Sequence, residues 1–210
     1  MAERLAMFPL GSVLVPGGVL PLHIFEPRYR VLMFDCLRAT PEFGVVLIER
    51  GFEVGGGDQR FTIGTVARIT EAAELPDGRW VVTAVGTQRI RVEEWLPDDP
   101  YPLAMVERLT EPAPVDGDAA AEAQAGAEVA VRRALALCAD LGLGGPDPAI
   151  ELATDPAVVA WQLLAVAPLG AYDKQQLLEI DDHGSRLARL AVLAEEQATM
   201  LAHRLGGDQS

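Results

Sequence analysis

The chain has 210 residues, half of them apolar, and 31 Asp and Glu against 17 Lys and Arg, a net charge of −14. This is enough apolar material for one large core or two small ones, while the negative field opposes a phosphate backbone, so no nucleic-acid partner is expected. No window approaches 18 uninterrupted apolar residues, no basic and then apolar leader is recognisable, and Cys36 and Cys138 lie outside any CxxC pair; the expectation is a cytoplasmic protein with reduced thiols and no membrane partner.

Residues 8–30, FPLGSVLVPGGVLPLHIFEPRYR, read as strand, turn, strand and helix: an apolar run ends at Pro-Gly-Gly, a second follows, and Pro27 occupies the first position of a helix. In that helix Tyr29, Leu32, Met33, Cys36 and Leu37 recur at i, i+3, i+4, i+7 and i+8, and Thr40-Pro41 ends it. Residues 43–48 form a continuous apolar run, expected to be a strand buried on both faces. Residues 51–59, with three consecutive glycines, are expected to be a mobile loop. A hairpin follows, with residues 61–75 as one arm, Pro76-Asp77-Gly78 as the turn and residues 79–85 as the return. Residues 88–95 then alternate, Ile90 and Val92 on one side and Arg89, Arg91 and Glu93 on the other.

The character changes at EPAPVDGD. Residues 1–110 are expected to be a β-rich unit, 111–118 a linker, 119–205 a helical unit and 206–210 a flexible tail. The Ala-rich run from 119 to 141 reads as a helix interrupted only by Gly126 and ended by GLGGPDP. Asp155-Pro156 caps a second helix, residues 172–180 make a third, and residues 183–205 a fourth with Leu187, Leu190, Ala191, Ala194, Ala198 and Leu201 on one stripe. Residues 111–210 carry 16 carboxylates against 6 Lys or Arg, so most of the negative charge sits in this helical half. A solvated helical face explains that excess, and so does a surface for a basic partner.

Catalytic chemistry finds no support in the residues. A phosphate-cradling loop needs GxxxxGK[ST], and the single lysine, Lys174 in YDKQQLLE, has neither the glycines before it nor a Ser or Thr after it. His23, His183 and His203 stand alone, Glu93-Glu94, Asp98-Asp99 and Asp181-Asp182 are adjacent pairs whose side chains diverge, and Ser12 and Ser185 lack a nucleophile elbow. No catalytic residue, cofactor or metal is expected.

HIFEPRYR, FGVVLIERG, IGTVARITEAAELPDGRWVVTAVGTQRIRV and KQQLLEIDDHGSRLARLAVLAEEQ resemble, in the same order, successive parts of the substrate-recognition domain at the N-terminus of Lon-type ATP-dependent proteases. The resemblance implies an α+β fold, a PUA-like β pseudo-barrel with an inserted helix followed by a C-terminal α-helical bundle. It also implies recognition of unfolded or tagged proteins. The chain looks like a stand-alone version of the module, without the ATPase and its phosphate loop or the Ser-Lys peptidase.

If the module binds unfolded polypeptide, a free strand edge and an apolar groove are two compatible routes. Candidate anchors are Phe25, Tyr29, Met33 and Phe34 around the first helix and Phe52 beside the glycine loop; each also suits a core position. Arg28 and Arg30 offer guanidinium forks for a carboxylate or peptide carbonyl, or ion pairs with Glu26 or Asp35. Arg68, Arg89 and Arg91 form a basic strip if they face solvent. The alternative function is an adaptor whose acidic helical half docks one specific partner, and a small-molecule regulator using the barrel mouth is a third.

Overall fold

Alternating and continuous apolar runs in the first half build six strands around one helix. In chain order these are β1 (Glu3–Leu10), β2 (Val19–Ile24), α1 (Pro27–Arg38), β3 (Glu42–Arg50), β4 (Gln59–Glu74), β5 (Trp80–Leu96) and β6 (Leu103–Arg108). The computed structural model describes residues 2–50, 59–113 and 117–207, and it divides into two compact units, Met1–Thr110 and Glu111–Ser210.

In the first unit β1 pairs in parallel with β3 and antiparallel with β6. Parallel neighbours need a long crossover, which β2 and α1 supply. β3 pairs with β4, β4 with β5 and β5 with β6, so five strands close into a ring. β2 stands outside it on the first half of β5, from Val19 opposite Val85 to Ile24 opposite Trp80. The result is barrel-like without being a clean barrel. Beyond Ile69, whose N–H donates to the Pro41 carbonyl, β4 has no partner strand on its outer edge among the described residues.

Successive strand residues point to opposite faces, and β1 shows the consequence. Met7 enters one apolar cluster with Val66, Ile90 and Val106, whereas Phe8 enters another with Leu32, Phe43 and Ala84. The second cluster is sealed by α1. Of its expected stripe, Tyr29, Leu32, Met33 and Cys36 are buried, but Leu37 is exposed on the helix flank. At Gly64 β3 comes so close that a Cβ would lie 2.2 Å from the Val45 carbonyl oxygen.

The expected basic strip does not form. Arg89 is 1 % exposed, because at that point β5 is covered on one side by β4, where Thr65 is opposite, and on the other by the chain leaving β6, where the Leu109 N–H bonds the Arg89 carbonyl. Arg68 is held by Glu42 at 2.9 Å and Arg91 faces Glu107 at 3.5 Å. Glu42 is itself buried and also accepts from Arg108 at 2.9 Å. Burial alone would raise its pKa, but the hydrogen bonds from Arg108 and Arg68 outweigh it and hold the carboxyl below its ordinary range.

The second unit contains α2 (Asp118–Asp140), α3 (Pro156–Val166), α4 (Ala171–Glu179) and α5 (His183–Gly207). Asp155 caps α3 by accepting the Ala157 N–H at 2.9 Å, with Pro156 in the first turn. Residues 206 and 207, expected in a tail, are the last of α5, and residues 208–210 lie outside the described residues. The α5 stripe is buried at Leu187, Leu190, Ala194, Ala198 and Leu201, and Leu193 joins it. Arg186 is 2 % exposed and sits over the Trp161 ring at 3.9 Å. Its guanidinium donates to the Ile180 carbonyl at 2.6 Å and to Glu111 at 3.3 Å, which ties the start of α5 to the end of α4. Among the described residues no helix is long and apolar enough to cross a membrane.

Candidate polypeptide-binding surface

A helix that buries the 29, 32, 33, 36 face presents 27, 31 and 34 on the other side. Here that outer face is apolar. Val31, Phe34 and Leu37 are all exposed, Phe34 at 51 %, and Phe25 just before the helix is exposed at 59 %. The β4–β5 hairpin brings Trp80 and Glu74 alongside, and together with Pro27, Arg30, Val31 and Phe34 they line a cavity of about 430 Å3. A smaller concavity of about 100 Å3 lies beside Phe25, lined also by Leu22 and Glu26.

Backbone geometry sets the position of Arg30. Gly78, in the hairpin turn, has φ +78°, and a Cβ built there would lie 2.1 Å from the Arg30 guanidinium. The left-handed turn and the absent side chain thus make room for the arginine. The Arg30 side chain makes no hydrogen bond or ion pair among the described residues, so its planar donor set is available at the mouth of the cavity. Phe34 is flanked by Arg38, whose guanidinium lies 5.0 Å from the ring centre.

The sequence-based candidates are separated by this arrangement. Phe25 and Phe34 lie on the surface and within reach of the two concavities. Tyr29 and Met33 are core residues: Tyr29 stacks on Phe8 with centroids 4.0 Å apart and Met33 is fully buried, because both lie on the face of α1 turned to the sheet. Tyr29 contributes only to the wall of the smaller concavity. Arg28 is engaged within the chain, bonding Glu26 at 3.1 Å and lying over the Tyr29 ring at 4.6 Å. Asp35, the other carboxylate considered for the arginines, accepts the Tyr101 hydroxyl at 2.9 Å. Phe52 and the glycine loop at 51–58 lie outside the described residues. His23, which stands alone in the sequence, is exposed on β2.

Val31 and Trp80 are the members that sequence reasoning missed, whereas Arg30 was among the arginines considered for a carboxylate or carbonyl. Val31, Phe34 and Leu37 are spaced i, i+3, i+6, a signal opposite the core stripe that was legible. Trp80 had none, since only the β2–β5 register places it beside α1. The two cysteines offer no nucleophile: burial pushes the Cys36 thiol up to about 12, with Asp35 adding to it, and burial raises Cys138 as well. Lys174 donates to the Ala165 carbonyl at 3.0 Å, and burial lowers its pKa.

Residues 4–196 match the family model described as the ATP-dependent protease La (LON) substrate-binding domain. The chain belongs to this family. This Lon domain is 33% identical over 208 residues to the Lon protease of Trichlorobacter lovleyi, covering 95% of the chain and 25% of that protein. It is 28% identical over 200 residues to the Lon protease of Anaeromyxobacter dehalogenans, covering 94% of the chain and 24% of that protein. The chain therefore spans about a quarter of the length of the curated relatives it matches. Among solved structures, the Lon N-terminal domain protein from Xanthomonas campestris superposes with a TM-score of 0.63 at 28% identity, over 90% of this chain and 98% of that one. The N-terminal domain of the Mycobacterium avium complex Lon protease gives a TM-score of 0.61 over 92% of this chain and 99% of its own, at 18% identity, a likeness of fold alone.

Proposed function

We propose that this Lon domain is a non-catalytic cytoplasmic module that binds unfolded or exposed apolar polypeptide on the outer face of α1. The observation that carries the reading is the cluster of Val31, Phe34 and Trp80 around a cavity whose single guanidinium, that of Arg30, has no partner among the described residues. An apolar side chain of the client fills the cavity and Arg30 donates to a carbonyl or carboxylate of the same segment. Phe25 and the outer edge of β2 extend the surface for a second anchor and for main-chain pairing, limited by Pro21, which has no N–H. A substrate-binding domain of this family is the setting in which such a surface has a use.

Fluorescence anisotropy of one labelled polypeptide, in a permanently unfolded form and in its native form, tests the reading. The unfolded form is expected to bind selectively, and Phe34→Ala or Val31→Asp to weaken it about tenfold, the loss of roughly 1.4 kcal/mol. Equal binding of both forms, or binding indifferent to both substitutions, refutes it.

A further inference from the structure

The helical unit carries a second apolar surface, remote in sequence from α1 and of different character. α2 and α5 pack along each other, and their seam opens outward into a groove of about 1140 Å3. Val129, Val192 and Met200 make it apolar, with Val129 67 % exposed. Ala125, Gly126 and Ala191 leave it open, and Glu122, Glu195 and Glu196 border it. Glu195 takes the guanidinium of Arg133, whereas Glu122 and Glu196 have no cation paired with them among the described residues.

Gly126 adds a separate observation. Glycine within a helix of 23 residues costs about 1 kcal/mol relative to Ala. A Cβ built at Gly126 meets nothing within 4 Å, so packing inside this chain does not require the glycine. A position without a side chain does allow another helix backbone to approach closely.

We infer that this groove docks an amphipathic helix of a partner protein whose apolar stripe is flanked by Lys or Arg. Apolar residues spaced i, i+3, i+4 and i+7 fill the space between Val129, Val192 and Met200. Flanking cations meet Glu122 and Glu196, and the surrounding field favours them, since residues 111–210 carry 16 carboxylates against 6 Lys or Arg. A second copy of this chain is a poorer occupant, because it brings one acidic border against another. The inference is independent of the α1 surface, which is bordered by a cation.

The test uses the full chain and three labelled synthetic peptides of about 18 residues, long enough to form a helix on docking. One carries the apolar stripe with Lys flanks, one the same stripe with Glu flanks, and one the Lys composition scrambled. The Lys-flanked helix is expected to bind at least about tenfold tighter than either other peptide. Gly126→Leu is expected to weaken it about as much while leaving the melting temperature unchanged or higher, since Leu is the better helix former. Phe34→Ala leaves this binding unchanged. Equal binding of the scrambled or Glu-flanked peptide, insensitivity to Gly126→Leu, dependence on Phe34, or self-association of the free chain abolished by Gly126→Leu each overturns the proposal.

Discussion

Tyr29 and Phe34 lie five residues apart on one helix, and replacing each by Ala should have opposite consequences. Tyr29 is 3 % exposed and its ring is stacked on Phe8 at an interplanar angle of 13°. Truncating a buried aromatic costs about 3–5 kcal/mol, of which the ring pair accounts for roughly 0.5–1.5 kcal/mol. A unit of this size stands only about 5–15 kcal/mol above its unfolded state, and each kcal/mol moves the midpoint by about 4–8 °C. Tyr29→Ala should therefore lower the melting temperature of the β unit by at least about 12 °C. Phe34 lies half in solvent, and its truncation costs about 0.5 kcal/mol plus a similar amount for the lost Arg38 contact. Thermal unfolding followed by circular dichroism at strand wavelengths, beside polypeptide binding by anisotropy, reads both effects. A Tyr29→Ala variant that melts within 3 °C of the parent, a margin of roughly 0.5 kcal/mol, or a Phe34→Ala variant as unstable as Tyr29→Ala, would contradict this division of α1 into a core face and a surface face.

Glu42→Gln leaves Arg68 and Arg108 without their shared anion and should cost about 1–3 kcal/mol at neutral pH by urea unfolding. Because the folded pKa of Glu42 is depressed below 4.5, its contribution is full above that value and disappears as pH falls through the folded pKa; the gap between parent and variant should close in acid, and a gap that widens there contradicts the assignment. Gly64→Ala drives a Cβ against the Val45 carbonyl and Val46, an obstacle made of backbone, and should destabilise by at least about 1–3 kcal/mol in the same assay. With Cys36 shifted to about 12 and Cys138 also raised, neither thiol should react with a disulfide reagent at mildly alkaline pH until the chain is unfolded; rapid modification of Cys36 in the native protein would show that the α1 core opens, and of Cys138 that the α2 packing does.

Much of this fold was legible because its signals are local. Pro27 at a helix start, Asp155-Pro156 at another and Pro76-Asp77-Gly78 at a hairpin each prescribe their turn by backbone chemistry. The α1 core stripe was legible by period, as far as Cys36. Closure of the ring was not, since the parallel pairing of Met7 with Gly44 and the antiparallel pairing of Glu3 with Val106 link segments far apart in the chain. That closure also explains Arg89, which alternation assigns to solvent but which a covered stretch of β5 buries. At the candidate site, residue type alone could not divide α1 into Tyr29 and Met33 inside and Phe34 outside without knowing which face meets the sheet. That the Arg30 side chain has no partner among the described residues goes with Glu26 being taken by Arg28 and Asp35 by Tyr101.

A ring of strands shares its main-chain groups internally and leaves little for strangers. In the described residues of this barrel the outer edge of β2 and the end of β4 beyond Ile69 are free borders. The first is interrupted by Pro21 and the second bears Glu71 and Glu74, exposed on the strand. Edges interrupted or charged in this way are poor templates for continued strand addition. On the proposed reading, an extended client pairs over a few residues at most, and such edges do not favour stacking copy upon copy into a cross-β fibre. The unit thus exposes apolar side chains on α1 while its strand edges make it a poor seed for aggregation.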